Sequence, residues 1–527
     1  MEKFNTMNLK VDDTFNKELP SDPIKNKESR QVLNSCFSFV DPMVPSNPKL
    51  VHVSSALASE LGFTFEDIES RDFLEIFTGA RVLENTAPYS MCYGGHQFGN
   101  WAGQLGDGRA INLMEIERDH KRYSLQLKGS GKTPYSRNSD GLAVLRSSVR
   151  EHLCSEAMHH LGVPTTRSLS LSLSGDQVMR DMLYDGNSEL EPGAIVCRVA
   201  PTFLRFGSFQ IFASRGDHEN LKKLTDYTIK HFFSEIKLKS TQRYIDFFNA
   251  VLDKTLAMII EWQRVGFVHG VMNTDNMSIL GLTIDFGPYG WLEDYDKNWT
   301  PNTTDKQNRR YRFGQQSSMA HWNLFQLANT LYPLIEDAKP LEDALSRYGH
   351  EFKKSYHDMM KKKIGLIKDV QGDDALISTL ESNLELIETD MTIFFRNLSN
   401  VSINDKPEEC LNKLMDAFYN NDEVRGDVKD KWISWSTRYL TRTNLEETTD
   451  DGRKNSMNLT NPKFVLRNYM AQLAIDSAEE GNYQLINELY KLLQNPYDEQ
   501  PKFHKWFAKR PDWAKYKVGC SMLSCSS

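Results

Sequence analysis

A chain of 527 residues is too long for one small domain and calls for two to four domains or one large two-lobed unit with flanking segments. Hydrophobic residues make up 39%, with 28 Phe, 20 Tyr and 9 Trp, enough to bury large cores and to exclude disorder over most of the length. The net charge of −8 excludes a binder of nucleic-acid backbones, which needs a basic surface, and leaves open a local basic pocket for a nucleotide.

Seven cysteines (Cys36, Cys92, Cys154, Cys197, Cys410, Cys520 and Cys525) are scattered, with no Cys-x-x-Cys pair and no zinc spacing. That usage reads as a reducing compartment with buried thiols. Cys520 and Cys525, in a polar tail, are the pair expected to be available for redox chemistry. No apolar run approaches the roughly 18 residues of a membrane span, so no membrane partner is expected. Glu2, Asp12, Asp13 and Glu18 disfavour a presequence, and no apolar stretch near Met1 resembles a secretory signal. A cytoplasmic monomer is expected, with the mitochondrial matrix as the weaker alternative.

In chain order, a polar lead is followed by Leu50 to Leu61, a short helix candidate. Gly94, Gly95, Gly99, Gly103, Gly106 and Gly108 then crowd into one segment, a density that serves close backbone approach. Tyr123 to Lys128 alternates as a strand does. Leu142, Leu145, Val149, Leu153, Ala157 and Leu161 recur at helical spacing until Gly162 and Pro164 stop the pattern. Thr166 to Leu173 and Gly193 to Val199 read as further strands. Beyond residue 217 the pattern turns helical, over Leu221 to Ile236 and Tyr244 to Val265, interrupted by a short strand at Ile279 to Ile284. Long helices resume at Met319, Asp405 to Asn455 is a polar stretch, and more helices fall near Phe464 to Leu493. The fold class expected is α+β, a protein-kinase-like two-lobed fold with terminal extensions. Its parts are an N-terminal extension (1–90), an N-lobe (91–216), a C-lobe (217–400) and a helical C-terminal extension with the cysteine tail (401–527).

The strongest local signal is His269-Gly-Val-Met-Asn-Thr-Asp-Asn276 followed by Asp285-Phe-Gly287. Kinases hold metal with the Asn that closes the catalytic loop and the Asp of Asp-Phe-Gly, so Asn276 and Asp285 are candidate metal ligands. A hard cation that bridges phosphates wants a few oxygen ligands and open positions, which this pair supplies. In the kinase pattern the third loop position is the catalytic Asp; here it is Val271, which accepts no proton. Either the chain is a dead kinase or Asp275, the one carboxylate in the loop, acts as base in a rearranged site. Lys128 ends a strand and Glu151 lies in the next helix, the arrangement that aims a lysine at phosphates, with Glu156 as a rival partner. Gly129-Ser-Gly-Lys132-Thr133 resembles the end of a P-loop, but Gln126 stands where the first glycine belongs, so that motif fails. Arg109, on a glycine-rich turn, and Arg198 and Arg205, around Pro201, carry guanidinium forks suited to phosphate oxygens.

These residues match a known family. Tyr93-Gly-Gly-His-Gln-Phe-Gly-Asn-Trp-Ala-Gly-Gln-Leu-Gly-Asp-Gly-Arg109 resembles the selenoprotein O family closely. So do Leu125 to Arg137, Val144 to Glu151, His269 to Gly290 and the shorter landmarks Leu19 to Asp22, Arg30 to Val32 and Cys525-Ser-Ser527. Cys525 stands where some relatives have selenocysteine. The resemblance implies a pseudokinase that binds ATP inverted and transfers AMP to Ser, Thr or Tyr hydroxyls of protein substrates, with magnesium or manganese and release of pyrophosphate. It implies that Lys128, Arg109, Arg198 and Arg205 hold phosphates, with Gly106, Gly108, Asp140 and Gly141 at nucleotide-binding positions. It further implies Asn276 and Asp285 on the metal and Asp275 as proton acceptor, which accounts for Val271. Redox-linked proteins are the substrates it points to. Pro301 replaces a family cysteine, which removes one partner for a redox bridge to the tail. A kinase-like phosphotransferase, and UMP transfer from UTP with manganese, are the alternatives.

Overall fold

The computed structural model describes residue 7 and residues 9–182, 186–237 and 239–524. A short helix α1 (Phe15–Glu18) precedes strands β1 (Phe37–Phe39) and β2 (Lys49–Val53). Helices α2 (Ser55–Glu60), α3 (Phe65–Glu69) and α4 (Arg71–Thr78) follow, then β3 (Tyr89–Met91) and the hairpin β4 (Gly94–Gln97) and β5 (Asn100–Gln104). Next come β6 (Ala110–Arg118), β7 (Lys121–Lys128), β8 (Ala143–Val144), α5 (Leu145–His160), β9 (Arg167–Asp181) and β10 (Ser188–Ala200). The long strands form one antiparallel sheet in the order β1-β3-β6-β7-β10-β9-β2, with β8 paired to β10.

The sheet is covered on both faces. Leu57, Phe73, Ile76 and Phe77 of α2 and α4 pack on Leu125, Leu127, Ile195, Cys197 and Val199. Burying side chains of this size contributes about 1.5–3 kcal/mol each. On the other face lies α5, buried almost all round, whose Val149, Leu153 and Ala157 share a core with Leu171 and Val196. Gly162, at φ +77°, ends α5 with its amide bonded to the His159 carbonyl, a left-handed turn that glycine adopts without strain.

After β10 the chain is helical: α6 (Phe206–Ser214), α7 (His218–Phe232), α8 (Gln242–Val265), α9 (Gln316–Ile335) and α10 (Lys339–Lys363). Helix α8 packs against both α9 and α10. A second core joins Val268 and Leu292 to Trp432, Trp435 and Tyr439 of the helix Asp427–Thr443.

Two expectations about elements are corrected. Leu50 to Leu61 is a strand followed by a helix, because Ser54 caps α2 and the apolar residues before it pair with β9. Ile279 to Ile284 is not a strand: Ser278 bridges Arg205 and Thr283 bridges Thr165, with a turn at Gly281 between them. The polar stretch Asp405 to Asn455 contains the helices Pro407–Leu414 and Asp427–Thr443. Residues 1–90 supply β1, β2 and part of β3 to the main sheet.

Candidate functional site

Strand alternation sets the floor of the site. Leu125 and Leu127 face α2 and α4, so Gln126 and Lys128 face the α5 side, and Arg198 of β10 stands directly opposite Gln126. The Lys128 ammonium pairs with the buried Glu151 carboxylate on α5. Arg198 donates to Gln126 Oε1, reaches Glu151 Oε1 at 3.3 Å and pairs with Asp285 Oδ1 at 2.7 Å. Burial lowers the Lys128 pKa, an effect opposed by Glu151 and reinforced by Arg109 and Arg198. The rival Glu156 is engaged elsewhere, by Arg167 at 2.7 Å and by Ser54 at 2.6 Å.

The opposite wall is the loop His269–Asn276 and the Asp285 turn. His269 is stacked on Trp262, donates from Nε2 to the Ile284 carbonyl at 2.8 Å and accepts the Val271 amide at Nδ1. It ties the loop to the residue before Asp285, and burial keeps it neutral by lowering its pKa. Asp285 has a left-handed backbone, φ 55°, which Asp tolerates better than most residues. Its carboxylate accepts from Arg198 and from Arg205 Nη1 at 2.5 Å. Burial would raise its pKa, but the charges of Arg205, Arg198 and Lys128 outweigh burial and hold it far below the usual carboxylate range. Asn276 donates from Nδ2 to the Val271 carbonyl at 2.9 Å, and among the described residues its Oδ1 accepts no hydrogen bond.

Asp275 differs from Asp285 in every respect that matters for proton transfer. It is 8% exposed, its Oδ2 accepts from Gln97 at 3.2 Å, and its Oδ1 is buried without a partner. Burial pushes its pKa up to about 6, against the Gln97 hydrogen bond and the Arg205 charge.

The hairpin β4–β5 closes over this loop. The His96 amide donates to Thr274 Oγ1 at 2.7 Å, and the Phe98 amide and the Tyr311 hydroxyl both donate to Asn273 Oδ1. Two glycines permit the approach. A Cβ on Gly95 would lie 2.6 Å from Asp275 Oδ1, and one on Gly207 would lie 2.0 Å from the Gly94 carbonyl.

Between these walls is a cleft of about 210 Å³, lined by Gly108, Arg109, Lys128, Arg198, Val271, Asp275, Asn276 and Asp285 together with Tyr93, Gln97, Asp107 and Asn273. Other expected site residues lie outside its lining. Arg205 is 1% exposed beneath it, its guanidinium 4.4 Å from the Tyr93 ring and 2.9 Å from the Asp275 carbonyl. Gly106 packs on the Tyr135 ring, Asp140 pairs with Arg180 at 2.7 Å, and Gly141 abuts the Gly131 backbone. Glu151 acts from behind Lys128. Cys520 is not an available tail thiol: it is 4% exposed, packed in the main core, and burial pushes its pKa up to about 11. Cys525 lies outside the described residues.

Sequence reasoning assigned no role to Gln97, Asp107, Asn273 or Tyr311. Asp107 is buried, accepting from the Met91 amide and from Gln126, with Arg205 at 3.9 Å. The signal for Gln97 lay in the glycine pair before it, which marks a backbone pressed against another part of the chain.

The family model for protein adenylyltransferase SelO matches residues 26–494. The chain is 60% identical over 520 residues to a protein nucleotidyltransferase YdiU of Flavobacterium johnsoniae, covering 99% of this chain and all of the relative. Proteins of the same name from Aromatoleum aromaticum and Rhodopirellula baltica are each 51% identical, again over 99% of this chain and all of the relative. This α+β protein with a charged cleft is therefore an enzyme of the nucleotidyltransferase class. Within that class it belongs to the protein adenylyltransferase SelO family.

Proposed function

We propose that the chain transfers AMP from ATP to hydroxyl groups of protein substrates, on a kinase-like frame whose cleft holds the nucleotide inverted. The observation that carries this reading is the pairing of Val271 with Asp275. The position that supplies a kinase's base is apolar, while a neighbouring carboxylate keeps one oxygen buried, unpartnered and hard to ionise. A base poised near neutral pH suits removal of a hydroxyl proton. In the proposed step the acceptor oxygen bonds to the α-phosphorus, the bond from that phosphorus to the bridging oxygen breaks, and pyrophosphate leaves. The proton passes to Asp275 Oδ1. Lys128, held by Glu151, and Arg109 and Arg198 neutralise phosphate oxygens in a cleft where water screens them poorly.

Asn276 Oδ1 and the Asp285 carboxylate fit a hard divalent cation that keeps most of its positions for phosphate and water. Among the described residues no group of three His, Cys, Asp or Glu forms a denser metal site. Magnesium or manganese bound there would offset charge on the phosphates. Arg198 and Arg205 would share Asp285 with such a cation.

Incubation with ATP labelled at the α or the γ phosphate tests the reading. Label from the α position alone, with pyrophosphate as product, is expected. Label from the γ position with ADP as product would replace it by phosphotransfer. Val271→Asp is expected to create no kinase activity, since Lys128 and the arginines still dictate how ATP lies. UTP with manganese in place of ATP checks which nucleotide the cleft prefers.

A further inference from the structure

We propose that the segment 306–312, together with Trp101 and Trp322, is the docking surface for an acidic stretch of the protein acceptor. This inference rests on the function proposed above.

The segment reads Lys306-Gln-Asn-Arg309-Arg310-Tyr311-Arg312, four cations in seven residues of a chain whose net charge is −8. Most buried arginines here are neutralised, as Arg205 is by Asp285 and Arg467 by Asp390 at 2.6 Å. These four are not: among the described residues none has a carboxylate within ion-pair distance. Arg312 donates only to the Arg309 carbonyl and to Gln315, and Arg310 Nε is buried with no hydrogen-bond partner. The nearby Asp305 directs its two oxygens to the amides of Arg310 and Tyr311, at 2.9 and 2.7 Å. It shapes the segment; the charge of Arg310 acts on it, but no ion pair forms between them.

The segment is fixed to the site. The Tyr311 hydroxyl bonds to Asn273, which lines the cleft, and the Arg310 guanidinium lies beside Gly99 of the hairpin. Arg310 also lies 4.7 Å over the Trp322 ring; His96 stands 5.5 Å from Trp322 and 5.1 Å from Trp101. Trp101 is 39% exposed. A ledge of aromatic rings thus runs from the residue beside Gln97, which holds the base, to a patch of unneutralised positive charge.

An acceptor presenting a hydroxyl to Asp275 must lay its chain across this rim. Rings on the rim suit side chains and peptide planes of an extended segment, and the unpaired cations suit Asp and Glu further along it. Single-stranded nucleic acid also likes rings and cations, but the protein's overall negative charge works against that occupant.

Anisotropy of a fluorescent glutamate–tyrosine copolymer, titrated with the full-length protein, tests the proposal without any chemical step. Binding is expected, weakening steeply with salt. It should weaken at least tenfold in Lys306→Glu/Arg309→Glu/Arg312→Glu and severalfold in Trp101→Ala, with ATP affinity within twofold of the parent. The neutral triple Lys306→Gln/Arg309→Gln/Arg312→Gln guards against a misfolded reversal variant and should fall between. No binding of the acidic copolymer, equal binding of a lysine–tyrosine copolymer, or tighter binding of oligo(dT) overturns the proposal, as does unchanged binding in both triples. Copolymer that binds yet receives no α-phosphate label leaves the docking surface standing and removes the proposed transfer instead.

Discussion

Asp275 and Asp285 stand on the same loop system, yet their surroundings drive them in opposite directions. Asp275 is buried beside one neutral donor, and Asp285 sits between two guanidinium groups. The base proposed above, Asp275, must be ionised to act, so transfer is expected to fall as pH drops through about 6. The Gln97 amide stabilises the ionised form, so Gln97→Leu raises the Asp275 pKa and moves the acidic limb of kcat/KM to higher pH. A limb that stays in place in this variant would separate Gln97 from the base. Asp285→Asn keeps the shape and removes the charge that Arg198 and Arg205 neutralise. Transfer is expected to drop roughly a hundredfold or more, with the far-ultraviolet circular dichroism retained. Asn276→Ala should lose less, and its activity should climb as the divalent cation is raised.

The hairpin β4–β5 has no part in the proton transfer proposed above, yet it fixes the loop that holds Asp275. Gly95→Ala is expected to cut turnover while nucleotide affinity, read by calorimetry, stays near that of the parent, because the added methyl meets Asp275 and not the phosphate wall. Periodicity made the longer elements legible: α5, with its Gly162 stop, and α8 were readable from residue spacing, as was the alternation of β7. Short elements were not. Leu50 to Leu61 changes from strand to helix at Ser54, with too few residues on either side to set a period. In and behind the cleft, Lys128 and Glu151 announce themselves by a strand and a helix, and Asn276 and Asp285 by motif. Gln97, Asn273 and Tyr311 act through hydrogen bonds that span 178, 175 and 38 residues, and no local pattern encodes such partners.

Across the whole molecule one apolar core runs from Phe15 to Cys520, so distant parts of the chain stabilise each other. Ser54 bonds to the Tyr490 hydroxyl at 3.0 Å, and Asn468 donates to the Cys520 carbonyl at 2.7 Å. Cys520 belongs to this packing. Cys520→Ser is expected to leave the rate of thiol labelling of the native protein unchanged, and only unfolding in denaturant should reveal the missing group. Faster labelling of the parent under native conditions would place that thiol at the surface. The residues that follow Cys520 reach back to the cleft: the Leu523 carbonyl accepts from the Thr303 amide, and neighbouring Asn302 donates to the Gly270 carbonyl, one residue before Val271. Thr303 and Leu523 are 220 residues apart, so a ribosome adding about 5–20 residues per second needs on the order of ten to forty seconds to deliver the second after the first. During that interval Thr303, the neighbour of the residue that holds Gly270, lacks the partner that completes this brace.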